Sequence, residues 1–154
     1  MPLPTRLAPT SLPGLLGREH AQDLGNLLVV APAGIASSVA EGQALRAARQ
    51  ATRVIYALAD AASAAARFAA LAPQAEGIRL VLAGIADEAE DLALCRGAFD
   101  LLVITVERLG DLLARGPHLA DAVGLVVVDG LEVVAGAAGV LHDRALTLLR
   151  LASL

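Results

Sequence analysis

The sequence predicts an α/β fold in which a parallel β-sheet lies between two layers of helices. Two observations lead to this prediction. Short apolar runs alternate along the chain with segments whose apolar residues recur at helical spacing, and the connections between them are short. Hydrophobic residues make up 56% of the chain but aromatic residues only 2%, so the core has to be built from Leu, Val, Ile and Ala. That composition is typical of a parallel sheet covered on both faces.

The predicted elements follow an irregular, proline-rich lead-in over residues 1–25, with one short helix near Arg18–Leu24. A single domain is expected over residues 26–154. Its strands are predicted at Asn26–Ala31, Arg53–Leu58, Ile78–Ala83, Asp100–Thr105 and Val123–Asp129. Its helices are predicted at Ser38–Gln50, Ala61–Leu71, Asp87–Leu94, Val106–Arg115 and Val140–Ala152. Because strands and helices alternate, right-handed crossovers should make the sheet parallel.

Charge and cysteine content restrict the partners and the compartment. All twelve basic residues are Arg, and the net charge is -4. An acidic chain gives no general attraction to nucleic acid, for which a strongly basic face is the usual sign. The single cysteine, Cys95, leaves no internal disulfide and suits a reducing compartment, so a cytoplasmic location is expected.

The longest apolar stretch, residues 123–141, does not predict a membrane span. Asp129 and Glu132 interrupt it, and a carboxylate in the middle of a span is unfavourable. We therefore expect no contact with a membrane.

Three segments carry a resemblance to a known family. Residues 26–38 read NLLVVAPAGIASS, residues 100–109 read DLLVITVERL, and residues 123–129 read VGLVVVD. In order and at natural spacing they resemble the P-loop, the DILVxTxEKL segment and the strand entering the DExH box of superfamily two DExH/DEAD-box helicases of the Ski type. The resemblance covers roughly residues 25–150 and implies the RecA-like fold of their N-terminal motor domain.

The resemblance also implies a degenerate P-loop. A working P-loop uses a Lys to neutralise phosphates and a Ser/Thr hydroxyl to hold Mg²⁺. Gly34 stands at the position of the first glycine and Ser38 at that of the hydroxyl, whereas Ser37 replaces the Lys. The second loop glycine has become Ala36, and Ile35 brings a branched side chain to where phosphates would approach.

The DExH box departs from the family pattern in the same way. Asp129 keeps the position that orients Mg²⁺, but the catalytic Glu position is Gly130 and the His position is Glu132. The remnant nucleotide site, formed by Gly34, Ser37, Ser38 and Asp129, is therefore expected to be non-functional. We predict no catalytic residue, no cofactor and no metal.

The residues alone allow plainer interpretations. Residues 32–38 are also compatible with an ordinary strand-to-helix turn capped by Ser37 or Ser38, and Asp129 with a carboxylate that caps the next turn. Residual anion binding at the helix N-terminus is the alternative for the first segment. Glu88, Glu90 and Asp91 have the spacing of a solvated helix face.

A contact surface is implied by the later segment. By resemblance, Thr105, Glu107 and Arg108 touch a nucleic-acid strand, and Arg115 lies further along the same predicted helix. These four residues are the predicted contact site for nucleic acid or a protein partner, with solvent-exposed surface charges as the default interpretation. Asp60 falls in the segment where the family usually reads PLRALA, and it would repel phosphate.

The predicted function is that of a pseudo-helicase domain, a pseudoenzyme acting as a scaffold or regulatory protein-interaction module near nucleic acid. One alternative is an ATP-binding subunit or fragment of an active DNA or RNA helicase completed by another chain. An unrelated small α/β binding protein is a second. The apolar composition and open strand edges favour association, so a protein partner or a homodimer is expected.

Overall fold

The computed structural model of the protein describes residues 5–6, 27–28, 34–84 and 87–130. The chain divides into two compact units, Met1–Val39 and Ala40–Leu154. The division falls inside a helix, and the single domain expected over residues 26–154 stays a prediction. The predicted helices near Arg18–Leu24 and at Val140–Ala152 lie outside the described residues.

The first unit contains a short parallel pairing. Strand β1 (Thr5–Arg6) lies beside strand β2 (Leu27–Leu28), with Thr5 opposite Leu27. Strand β2 falls within the predicted strand Asn26–Ala31. Helix α1 (Ile35–Arg49) begins in this unit and continues into the second.

The second unit is built around a four-stranded sheet in which every described pairing is parallel. Its strands are β3 (Arg53–Leu58), β4 (Leu80–Leu82), β5 (Leu101–Thr105) and β6 (Val123–Val128). They are arranged in the order β4-β5-β3-β6, so β3 has a neighbour on each side. Tyr56 in β3 lies opposite Val103 of β5 and Val127 of β6.

Helices join the strands and begin at polar caps. They are α2 (Ala61–Leu71), α3 (Glu88–Cys95) and α4 (Val106–Arg115), with short 3-10 helices at Ala72–Gln74 and Pro117–Ala122. The side chains of Asp60, Asp87 and Thr105 accept hydrogen bonds from backbone N–H groups of the first turns of α2, α3 and α4. Each cap satisfies a donor that has no partner within the helix.

Two apolar cores lie on opposite faces of the sheet. On one face α1 and α2 pack on the alternate β3 residues Val54, Tyr56 and Leu58. On the other face α3 and α4 pack on Ile55 and Ala57. The predicted fold class, an α/β domain with a parallel sheet between two helical layers, is confirmed, and the arrangement is consistent with a RecA-like domain.

Most element bounds follow the sequence prediction, but the start of α1 does not. The helix begins at Ile35 rather than Ser38, because Gly34 adopts a φ of 89° and turns the chain before it. Ser37 and Ser38 therefore lie inside the first turn, and the expectation that one of them caps the helix is wrong. The Ser38 hydroxyl instead donates to the Gly34 carbonyl over 2.8 Å.

None of the described helices combines the length and the apolar character needed to cross a bilayer.

Candidate functional site

The topology of the second unit places a crevice at the carboxyl ends of its strands. Strands β3 and β5 are neighbours, and α2 and α4, the helices that follow them, pack on opposite faces. In open α/β sheets, ligands bind at such a switch point, outside the carboxyl ends of the strands. Residues from the first turns of both helices line an opening there.

A cleft of about 340 Å³ lies at this position, and we call it the switch cleft. Its apolar wall is formed by Ala61, Ala64, Leu82, Ala83 and Gly84, and its polar wall by Thr105, Glu107, Arg108 and Asp111. Three of the four predicted contact residues therefore line one cleft, and the fourth, Arg115, is not among the lining residues.

An ion cluster behind the cleft engages both of the predicted arginines. The guanidinium of Arg108 contacts one carboxylate oxygen of Asp91, and Nη1 of Arg115 lies 3.1 Å from the other. The Arg108 side chain is only 11% exposed, whereas that of Arg115 is 63% exposed. The interpretation of Arg108 as a solvent-exposed surface charge is therefore wrong.

Asp91 is the anchor of this cluster, and the expectation of a solvated face is wrong for it. The residue is only 7% exposed, because the α3 face that bears it is turned toward α4. Nε and Nη1 of Arg108 are buried and have no hydrogen-bond partner in the described part of the chain. The Arg108 charge is consequently balanced inside the protein, and Asp91 is the carboxylate that balances it.

Cys95 lies at the other end of α3 and is affected by the same carboxylate. Burial, followed by the negative charge of Asp91, raises the pKa of the Cys95 thiol, and the positive charge of Arg108 partly offsets this. A raised pKa keeps the sulfur in its neutral, weakly nucleophilic form. Cys95 is therefore a packing residue here and not an activated nucleophile.

A second ion cluster surrounds Asp129, just after β6. One of its carboxylate oxygens accepts hydrogen bonds from the Tyr56 hydroxyl over 2.8 Å and from Nη2 of Arg67 over 2.9 Å. Arg67 also forms an ion pair with Glu41, and its guanidinium carbon lies 5.5 Å from the centroid of the Tyr56 ring. The side chains of Glu41, Arg67 and Asp129 are each 18% exposed.

The cluster changes the pKa of Tyr56. Burial, followed by the hydrogen bond to Asp129 and the charge of that carboxylate, raises the pKa of the Tyr56 hydroxyl well above its usual value. The phenol is therefore a permanent donor to Asp129. At the position that the helicase resemblance assigns to Mg²⁺, the carboxylate faces a guanidinium and a phenol.

Sequence reasoning missed Glu41, Arg67 and Tyr56. Signals pointed to two of these three: Arg67 is the only charged residue in the alanine-rich helix α2, and Tyr56 is the only tyrosine of the chain. A lone charge on an apolar helix and a lone phenol in a buried strand both require a polar partner.

The other predicted nucleotide-site residues belong to the first unit. Gly34, Ser37 and Ser38 form the turn and first turn that begin α1, with the Ser38 hydroxyl bonded to the Gly34 carbonyl. Among the described residues a Cβ at Gly34 would meet no atom within 4 Å, and the positive φ is what favours glycine there. In the described ranges, no group of three or more His, Cys, Asp or Glu side chains is placed to hold a metal ion.

No family model, curated protein or solved structure matches the chain. The class that the described residues define is that of an α/β domain with a parallel sheet and a cleft at its topological switch point. A fold of this class hosts many functions, so the features that bear on function here are the two ion clusters and the cleft.

Proposed function

We propose that this chain is a non-catalytic, helicase-like α/β domain that acts as a scaffold or regulatory subunit through protein–protein contact. The observation that carries the proposal is the state of Asp129, whose carboxylate is ion-paired with Arg67 and accepts a hydrogen bond from Tyr56. In the family that the sequence resembles, this position holds Mg²⁺ for ATP hydrolysis.

Replacing the guanidinium by Mg²⁺ would be unfavourable. Magnesium requires carboxylate oxygens in a nearly ideal octahedron that includes waters, and the Asp129 oxygen is already shared by two donors. Moving Arg67 away would leave a mostly buried guanidinium with Glu41 alone, and its Nε already lacks a partner in the described chain. Removing one partner of a buried ion pair costs several kcal/mol, on the order of 3–5.

The arginine cluster supports a protein partner over nucleic acid. Affinity for a phosphate backbone comes from basic side chains that release counterions. Arg108 and Arg115 both contact Asp91 instead, and Glu107 and Asp111 bring negative charge to the same helix. The overall charge of -4 acts in the same direction. A single cysteine fits the cytoplasm as the place of action.

The strand order supports association with a protein. Strands β4 and β6 end the described four-stranded sheet, and the edge of a sheet presents unpaired N–H and C=O groups that favour pairing with another chain. A homodimer or a tight heteromeric complex is the working form in this proposal.

Isothermal titration with ATP–Mg²⁺ and a phosphate-release assay test the absence of catalysis. We expect no saturable heat and no turnover, with or without single-stranded DNA or RNA, because the neutralising Lys is missing and Asp129 is engaged. Saturable ATP–Mg²⁺ binding would instead favour an ATP-binding subunit. Turnover above a no-enzyme blank that disappears in Asp129→Ala would refute the proposal.

A gain-of-function variant tests the helicase resemblance separately. Ala36→Gly together with Ser37→Lys restores the glycine and the lysine that the family uses. If the segment is shaped like a P-loop, this variant should bind ATP more tightly than the wild type while still lacking turnover, since Gly130 supplies no base. A folded variant that gains no affinity would refute the resemblance at this segment.

A further inference from the structure

The polar wall of the switch cleft carries two neighbouring carboxylates, Glu107 and Asp111. Glu107 and Asp111 are one helical turn apart on α4, and neither forms an ion pair within the described part of the chain. Like charges at this spacing repel each other and weaken the helix. A cation bound between them would relieve that repulsion.

The positive charge nearest to these carboxylates is already engaged. Arg108 lines the cleft, but its guanidinium is directed to the buried carboxylate of Asp91. Helix N-termini usually favour anions, and the first turns of α2 and α4 lie at this cleft. Both already hold a carboxylate, Asp60 at the cap of α2 and Glu107 in the first turn of α4. The cleft therefore favours a cation over a phosphate.

The opposite wall is suited to hydrocarbon. Ala61, Ala64 and Leu82 present only apolar side chains, and Gly84 presents none. A volume of about 340 Å³ lies at the small end of ligand pockets. An Arg or Lys side chain matches both walls, since its long apolar stem packs on hydrocarbon while its charged end stays at a polar rim.

We infer that the switch cleft is the docking site for a basic side chain, Arg or Lys, presented by an apolar segment of a partner protein. The inference rests on the proposed function, since it names the chemistry of the partner. The stem of the basic residue lies along Ala61 and Leu82, and its charge lies between Glu107 and Asp111. The acidic net charge of the chain favours the same kind of partner.

Fluorescence anisotropy with the full chain tests the inference. The probe is a short fluorescein-labelled peptide of alternating leucine and arginine, and the control peptide replaces arginine by glutamine. We expect the arginine peptide to bind and the glutamine peptide to bind at least about tenfold more weakly, which corresponds to the loss of two partly screened ion pairs.

Two pairs of variants locate the binding. Glu107→Gln with Asp111→Asn should weaken the arginine peptide about tenfold. Glu88→Gln with Glu90→Gln removes the same charge from α3, outside the cleft, and should change affinity less than about twofold. Ala61→Leu fills the cleft without altering charge and should also abolish most binding. Ala65→Leu, at an exposed position of the same helix that does not line the cleft, should not.

Each other outcome overturns the inference. Equal losses in the two acidic double variants would mean attraction by net charge alone. Binding that survives Ala61→Leu would place the peptide elsewhere. Agmatine binding as tightly as the peptide would point to a small amine as the ligand. Binding of an oligonucleotide that is lost in Ala61→Leu would point to nucleic acid. ATP turnover would defeat the proposed function but leave these peptide results unchanged, so the two failures are distinguishable.

Discussion

The two ion clusters of the second unit have opposite compositions. Around Asp129, one cation bridges two carboxylates, since Arg67 pairs with both Glu41 and Asp129. Behind the switch cleft, one carboxylate bridges two cations, since Asp91 pairs with both Arg108 and Arg115. The first cluster links four parts of the fold: α1, α2, β3 and the residue after β6. The second links only α3 and α4.

Both clusters engage a charged residue that the sequence resemblance assigns to a ligand contact. Asp129 stands where the resemblance expects a Mg²⁺ contact, and Arg108 where it expects a nucleic-acid contact. Each belongs to an internal ion pair in which both side chains are mostly buried. A charge that is buried and paired is costly to release, so neither is readily available to an external ligand.

The largest expected effect is that of Arg67→Ala. It leaves Glu41 and Asp129 without their shared cation and removes the guanidinium from the Tyr56 ring, so we expect a loss of about 4 kcal/mol in the free energy of unfolding. Urea denaturation monitored by circular dichroism measures it. Arg96→Ala, at an exposed arginine, is the matched control and should cost less than about 0.5 kcal/mol.

Removing the anchor of the other cluster should have a slightly smaller effect. Asp91→Asn leaves the Arg108 guanidinium buried without a counter-charge, and we expect a loss of about 3 kcal/mol in unfolding free energy. The same change should lower the pKa of Cys95, because the Asp91 charge raises it. Faster alkylation by iodoacetamide at constant pH would show this. An unchanged alkylation rate in the folded variant would contradict the assignment.

Tyr56→Phe should lower stability by about 1 kcal/mol through the lost hydrogen bond to Asp129. The pH dependence is more diagnostic. The folded-state pKa of Tyr56 is raised, so its contribution is fully present below the usual tyrosine pKa and declines as pH rises above about 10. The stability difference between wild type and Tyr56→Phe should therefore shrink in that alkaline range. A difference that stays constant to higher pH would mean that the phenol is not the titrating group.

Arg115→Ala should have the smallest effect, below about 0.5 kcal/mol, because exposed ion pairs contribute little. The Arg115 side chain is 63% exposed, and Arg108 remains to balance Asp91. We thus expect the second cluster to depend on one of its two arginines, and the first cluster to depend on both of its carboxylates. A loss as large as that of Asp91→Asn would contradict this assignment.

The sequence predicted the elements well where periodicity is local. The bounds of β3, α2 and α4 agree with the apolar spacing, because each is set by neighbouring residues, and in the two helices also by the cap residue that directly precedes them. The start of α1 was missed because it depends on the left-handed conformation of Gly34. Glycine adopts positive and negative φ about equally well, so the sequence does not indicate which one occurs.

The site was harder to predict because its contacts are long-range. Arg67 and Asp129 are 62 positions apart, and their meeting depends on β6 lying next to β3, which the alternation of strands and helices does not specify. Asp91 was misjudged for a related reason. Glu88, Glu90 and Asp91 share one short helix, and only the packing of α3 against α4 decides which of them is buried.

The position of β6 also bears on the order in which the chain can fold. Strand β3 takes β5 as one neighbour and β6 as the other, and the Tyr56 hydroxyl finds its acceptor 73 positions away. Closing so long a loop costs conformational entropy before the stabilising contacts can form, and this slows folding. During synthesis the central strand therefore has an unoccupied side until the ribosome has released residues 123–129. Until then, Arg67 lacks the carboxylate of Asp129.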